Sequence, residues 1–289
     1  MKQSILLIGH KSFVGNDIKK TILKEDKFNI FYLDKYFKES DIISLNTKEF
    51  CEKYFLKFNN VDFIISCLHI HKDNFADELM LNLKVYENIQ YFSDLRNVNK
   101  IIYLSSVNVS ENNKSHYAYV KYKVESNLEK HKNFIIIRPS TIIKLDENNN
   151  LFGGKDGKSF SVFEKLFKFN LPIPIIGNGK YLFTFCFLND LTRFILLNLN
   201  DDFFINKKIN FFSGEYLNFN TFIDYIAKIK RKKAIKIFLP LLFVNLLCKL
   251  RIFNYKNIDN LINQKINYDY YDLIKNKIKI NQLGNLKKF

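Results

Sequence analysis

The chain has 289 residues, 47% of them hydrophobic, with only 9 Gly and 4 Pro, which excludes a disordered or linker-rich protein and leaves one large or two modest globular domains. The formal net charge is +16, but 40 of the 45 basic residues are Lys, whereas base readout and phosphate clamps favour Arg, so the charge reads as solvated surface and not as a nucleic-acid footprint. Four scattered cysteines without a CxxC pair give no disulfide framework and no metal site, as expected of a reducing cytoplasm.

The first half alternates short apolar runs with helical periodicity. SILLI (4–8) reads as a strand that starts at once, with no signal peptide ahead of it. A helix follows over 13–23, with Val14, Ile18, Ile22 and Leu23 on one face. Further strands are expected at 29–33, 62–66, 101–104 and 134–138, and helices at 48–58, 77–96 and 117–130. Strands apolar on both faces and separated by helices predict a doubly wound α/β fold with a parallel sheet. After Pro139 the rhythm changes. A polar loop (146–159), a helix (159–169), a turn-rich connection (171–179), strands at 183–188 and 208–212 and a mostly helical tail predict a smaller second domain. Residues 1–139 would form the first domain and 140–289 mainly the second, with strands from about 181–213 returning to the first. LPLLFVNLLCKL (239–250), preceded by KIKRKK (228–233), is too short to span a bilayer. Its basic and apolar make-up leaves contact with a membrane surface open, though a core-facing helix is the reading preferred.

The first strand runs into IGHKSFVG (8–15). Gly9 and Gly15 stand where a tight strand-to-helix turn and a close helix–sheet contact need glycine, and Ser12 takes the middle position. Ser12, Phe13 and Val14 mark a helix N-terminus whose amides suit a pyrophosphate. Asp34 ends FYLD, where a carboxylate can hold an adenosine ribose and favour NAD, while Lys11 and Lys35 leave a 2′-phosphate, and so NADP, open.

The stretch SSVNVSENNKSHYAYVKYKVE (105–125) carries the chemistry. With 16 Tyr and 40 Lys in the chain, Tyr-x-x-x-Lys spacing arises by chance, and it occurs twice here, at 117/121 and 119/123. Position is what counts. Ser106 follows the carboxyl end of a strand, where open α/β sheets bind ligands, and Tyr117 and Lys121 share a helix face. An ammonium beside the phenol would lower its pKa from about 10, as would a cationic nicotinamide, and make Tyr117 a proton acceptor. Lys121 would also bind the nicotinamide ribose, and Ser106 would align the substrate oxygen.

Together these motifs resemble the extended short-chain dehydrogenase/reductase superfamily, the NAD(P)-dependent nucleotide-sugar epimerases, dehydratases and 4-keto reductases. The likeness runs through GHKSFVG (9–15), Asp34, VDFIIS (61–66), LSSVNV (104–109), YAYVKYKVE (117–125), IIIRPS (135–140) and FCFLNDLTRFI (185–195). Glu125 selects Tyr117 over Tyr119 as the family tyrosine. The resemblance implies Ser106, Tyr117 and Lys121 as catalytic residues, Asn82 as a substrate or proton-relay residue and Pro139 against the nicotinamide. It further implies a nucleotide-sugar substrate, with Lys165, Lys168 and Lys180 suited to its pyrophosphate, a homodimer, and a place in surface-polysaccharide precursor synthesis. Departures are Ser12, the short interval from Ser106 to Tyr117, and a Gly-His-Lys opening that is similar to the Gly-His-Arg of GDP-fucose synthases. The alternative is a dinucleotide-sensing protein without turnover on the same fold.

Overall fold

A computed structural model describes residues 2–33, 38–109, 115–148, 150–153, 160–213, 217–249 and 269–278. The chain divides into two compact units, Met1–Arg138 with Thr192–Asn210, and Pro139–Leu191 with Phe211–Phe289.

The first unit is built on a six-stranded sheet of order β11-β5-β4-β3-β1-β2. Its strands are β1 (Ser4–Ile8), β2 (Asn29–Leu33), β3 (Phe63–Ser66), β4 (Lys100–Leu104), β5 (Phe134–Pro139) and, at the edge, β11 (Lys207–Phe211). The ladders among β1 to β5 are parallel, with Ile5 opposite Phe63, Ile64 opposite Ile101 and Ile102 opposite Ile135. β1, β3 and β4 are buried at every residue, which explains their unbroken apolar runs. Each fully buried aliphatic side chain contributes about 1.5–3 kcal/mol.

The helices of this unit are α1 (Phe13–Glu25), α2 (Glu39–Ser44), α3 (Thr47–Tyr54), α4 (Phe75–Arg96) and α5 (His116–Leu128). Sequence signals set their ends. Ser12 caps α1 by accepting from the Gly15 amide at 3.0 Å, Asn74 caps α4 through the Ala76 and Asp77 amides, and Asn97 stops α4 in the left-handed region at φ 51°. The six-residue α2 is too short for periodicity to reveal it.

Segment 192–210 joins the first unit by more than β11. Lys100, almost fully buried, donates to the carbonyls of Asn198, Leu199 and Asp201 at 2.8–3.0 Å and pairs with Asp202 at 3.1 Å. Thr192 donates to the Asp17 carboxylate at 2.8 Å.

The second unit contains β6 (Thr141–Leu145), β7 (Leu151–Gly153), α6 (Ser161–Lys168), β8 (Ile173–Ile176), β9 (Leu182–Phe183), β10 (Phe185–Phe187), β12 (Leu217–Asn218), α8 (Phe219–Ile229), β13 (Lys236–Leu239), α9 (Leu241–Lys249) and α10 (Tyr271–Ile278); α7 (Leu188–Leu197) runs out of it into the first. Its core gathers Phe160, Phe167, Phe183, Phe185, Phe187 and Phe222. Several expectations change here. The polar loop 146–159 contains β7, paired antiparallel with β6 after a turn in which Asp146 accepts from the Asn148 and Asn150 amides. The turn-rich 171–179 contains β8, and the tail contains β13, its parallel partner. Of the interval 181–213, β9 and β10 stay with the second unit and only β11 enters the first sheet. The stretch 239–250 is not a core-facing helix, because Leu241, Leu242, Phe243 and Leu246 of α9 are exposed, Leu242 at 85%. No helix among the described residues is long and apolar enough to cross a membrane.

Candidate active site

Parallel strands deliver the residues after β1, β3 and β4 to one edge of the first unit's sheet. They are Gly9, the run Cys67–Ile70, and Ser105 with Ser106.

The glycine turn is sterically closed. Gly9 has φ +83°, and a Cβ on it would lie 3.1 Å from the backbone of Cys67 and Leu68. A Cβ on Gly15 would lie 2.2 Å from the Gly9 carbonyl oxygen, so strand and helix meet with no room for a side chain. Ser12 is where the turn departs from the usual glycine. Its backbone lies in the extended region and its hydroxyl caps α1, so a function of this side chain, not a loss of flexibility, explains it. Among the described residues no acceptor meets the Phe13 or Val14 amide. His10 Nδ1 is buried without a partner. Open amides, an orphaned ring nitrogen and a closed cradle fit a phosphate-bearing ligand. Asp34, with Lys35, lies outside the described residues.

Tyr117 and Lys121 come together on α5. The Lys121 Nζ lies 5.4 Å from the Tyr117 ring centre and 4.7 Å from that of Tyr103. The ammonium donates to the Leu104 carbonyl at 2.7 Å and to the Tyr103 hydroxyl at 3.2 Å. That bond fastens α5 to the end of β4. Ser106 stands two residues beyond this carbonyl, and its hydroxyl accepts from the Asn108 amide at 3.3 Å. No hydrogen bond joins Ser106 to Tyr117 among the described residues.

The expected acidification of the phenol is corrected by its surroundings. Burial, with the Glu78 carboxylate adding to it, pushes the Tyr117 pKa above its ordinary value. Burial pulls Lys121 down to about 8, against the opposing pull of Glu125 and Cys67. The ammonium is aimed at a carbonyl and at Tyr103, so it stabilises a Tyr117 phenolate only through space.

Asn82 is also placed differently from a relay. Its amide oxygen accepts from the Ile70 amide at 3.0 Å, and its two amide protons go to the Ile70 and Glu78 carbonyls at 2.8 and 2.7 Å. With both protons committed, Asn82 clamps the loop after β3 to α4. Pro139 is buried at the end of β5, where the chain passes into the second unit.

The hydrogen-bond partners of Glu125 and the histidines around Tyr117 escape sequence reasoning. Glu125 is buried; it accepts from the Ser105 hydroxyl and from Arg138 Nε at 3.0 Å, and a second Arg138 bond completes a bidentate pair. It thus ties α5 to the ends of β4 and β5. Around Tyr117 stand His69, whose ring meets it edge-on at 4.8 Å, and His71, stacked at 5.9 Å. His69 Nε2 is 2.8 Å from Glu78 Oε1. The available signal was His-x-His in CLHIHKD (67–73), which holds two of the chain's five histidines directly after a strand.

The second unit has its own cleft of about 670 Å³, lined by Phe152, Glu164, Lys165, Lys168 and Arg231 among others. Lys165 and Lys168 therefore share one concave surface, and Lys180 is not part of it.

No protein-family model and no curated protein matches the chain. Solved structures do match it in fold. The UDP-glucose 4-epimerase of Thermotoga maritima with UDP-glucose superposes with a TM-score of 0.62 at 16% identity, covering 82% of this chain and 86% of that one. The dTDP-4-dehydrorhamnose reductase of Bacillus anthracis in complex with NADP gives 0.64 at 15%, covering 83% and 85%. The UDP-glucuronic acid 4-epimerase of Bacillus cereus in complex with NAD gives 0.63 at 16%, covering 96% and 99%. The chain shares the fold of these nucleotide-sugar epimerases and reductases.

Proposed function

We propose that the protein transfers a hydride between NAD(P) and a hydroxyl or keto carbon of a nucleotide-activated sugar, as an epimerase or a 4-keto reductase. The observation that carries this reading is Tyr117 with Lys121 5.4 Å from its ring, on a helix bonded to the carboxyl end of β4. The closed glycine turn in the same unit supports a dinucleotide, whose pyrophosphate the Phe13 and Val14 amides would hold. The dinucleotide supplies the hydride donor or acceptor.

The residues of the chain then manage the proton. The raised phenol pKa keeps Tyr117 protonated at neutral pH, which equips it to give a proton to the oxygen of a sugar ketone as the carbon is reduced. Lys121, with a pKa of about 8, still carries its charge at pH 7 and stabilises the phenolate left behind. Ser106, at the end of the same strand, would hold the reacting oxygen. The lysine-lined cleft of the second unit supports binding of the nucleotide diphosphate there.

Purified protein incubated with nucleotide sugars tests the reading. Consumption of NAD(P)H on a 4-keto sugar identifies a reductase, and isomerisation without net change of cofactor identifies an epimerase. Tyr117→Phe should lower kcat by about a hundred- to ten-thousand-fold while leaving dinucleotide affinity nearly unchanged. Survival of turnover in that variant would remove the assignment, and dinucleotide binding with no turnover on any nucleotide sugar would point to the sensing alternative.

A further inference from the structure

We propose that His69, His71 and Glu78 form a binding site for a first-row divalent cation, zinc by the nature of its donors. The inference does not rest on the hydride-transfer reading, and its test measures metal and not turnover.

The donors converge. One ligand atom from each residue lies within 4.8 Å of the others, with His69 Nε2 2.8 Å and His71 Nδ1 3.9 Å from Glu78 Oε1. Around a tetrahedral zinc with bonds of about 2.0–2.2 Å, neighbouring ligand atoms stand roughly 3.3–3.5 Å apart. The His69–Glu78 pair needs only a small opening, and the half-exposed His71 needs only to turn inward. Two imidazoles and one carboxylate are a set that zinc takes with a fourth position left open.

The scaffold holds these groups in place. Ile70 is the single residue between the histidines, and Asn82 pins both its amide and its carbonyl. Asn82 lies four residues after Glu78 on α4, on the same helix face, and also binds the Glu78 carbonyl. The second oxygen of Glu78 accepts from the Lys72 amide at 3.1 Å, which leaves Oε1 directed at the histidines. Fixed outer partners of this kind are what orient the ligands of a metal site. The side chains of His69 and Glu78 are 8% and 5% exposed and that of His71 is 39% exposed, so the site is walled on two sides and open at the third. A cation between the two imidazoles would replace the His69–Glu78 hydrogen bond with two metal bonds and leave the Lys72 amide on the second carboxylate oxygen.

The cysteines offer no rival site among the described residues, since none of Cys51, Cys67 and Cys186 belongs to a cluster of ligand atoms. The experiment uses the full chain without an affinity tag, stripped with a chelator and titrated with zinc against a chromogenic competitor. The expected result is one equivalent bound, with cobalt giving the visible absorption of a four-coordinate site and no thiolate charge-transfer band. His71→Ala, at an exposed position that the fold tolerates, should weaken zinc by more than about tenfold, with circular dichroism unchanged. Failure of the native chain to take up zinc at micromolar concentration, a thiolate band, or undiminished affinity in His71→Ala would each overturn the proposal.

Discussion

The two units bury different things. The first buries Glu78, Asn82, Lys100, Ser105, Lys121 and Glu125 among its aliphatic strands, whereas the second buries fewer polar side chains, Asp190 its one carboxylate among the described residues, and gathers seven phenylalanines among the aliphatic residues of its core. In the second, Phe222 touches Phe183 and Phe185 at ring separations of 4.6 and 5.6 Å. Burying a charge is costly unless it is paired, whereas burying phenylalanine is favourable wherever it fits. A polar interior held together by its own partners is therefore a place where chemistry has been paid for by packing, and it lies where Tyr117 and Lys121 lie. The aromatic interior of the second unit specifies shape, and its basic cleft is at the surface.

Breaking the polar interior should have the largest effect. Glu125→Ala leaves Arg138, whose side chain is 20% exposed, without its carboxylate, and frees the Ser105 hydroxyl. Loss of one partner of a buried pair costs about 3–5 kcal/mol, to be read as a fall in the urea midpoint. Glu125→Gln should recover part of it, because its one amide oxygen can accept from both the Ser105 hydroxyl and Arg138 Nε, as Oε1 does in the native chain. If Glu125→Ala unfolds with the native midpoint, the polar set is not what joins α5 to the sheet, and the contrast between the units is lost.

The pH dependence of Lys121 sharpens the contrast by a smaller amount. Its pKa falls from 10.5 to about 8 in the folded chain. Between these values the unfolded chain holds a proton that the folded one has released, so the contribution of this residue to stability rises as pH increases from 8 to 10.5. Below 8 both states are charged and the contribution is constant. Buried tyrosines, with pKa values raised by burial, oppose the trend above about pH 10, so the measurement is a difference. The stability of the native chain relative to Lys121→Met should rise across the window. A flat difference would mean that Lys121 is solvated in the folded state.

What the sequence disclosed follows the same division. The strands of the first sheet were legible because both their faces are apolar, and α1 because Val14, Ile18 and Ile22 keep helical spacing. β7, β8 and β13 were not, since three- and four-residue strands containing Gly, Pro or Lys carry no period. Tyr117 and Lys121 were legible through their place after β4. The direction of the ammonium was not, because it depends on the Leu104 carbonyl, which no side-chain pattern encodes. Ser12 was visible as a departure from glycine, but its capping role appeared only with the helix. His69 and His71 sit in a loop without periodicity, and their meeting with Glu78 depends on how Asn82 folds that loop onto α4.

The smallest effect should come from the second unit's interior. Phe222 is fully buried, yet Phe222→Leu keeps an apolar group of similar size in the site and leaves no charge or hydrogen bond unpaired. Such exchanges cost about 1–1.5 kcal/mol, where truncation to alanine costs about 3–5. Because Phe222 belongs to the second unit and the glycine turn to the first, dinucleotide affinity measured by titration calorimetry should stay within twofold of the native value. A large loss of affinity on this substitution would mean that the aromatic core does more than set shape, and that buried charge does not by itself mark where the molecule keeps its chemistry.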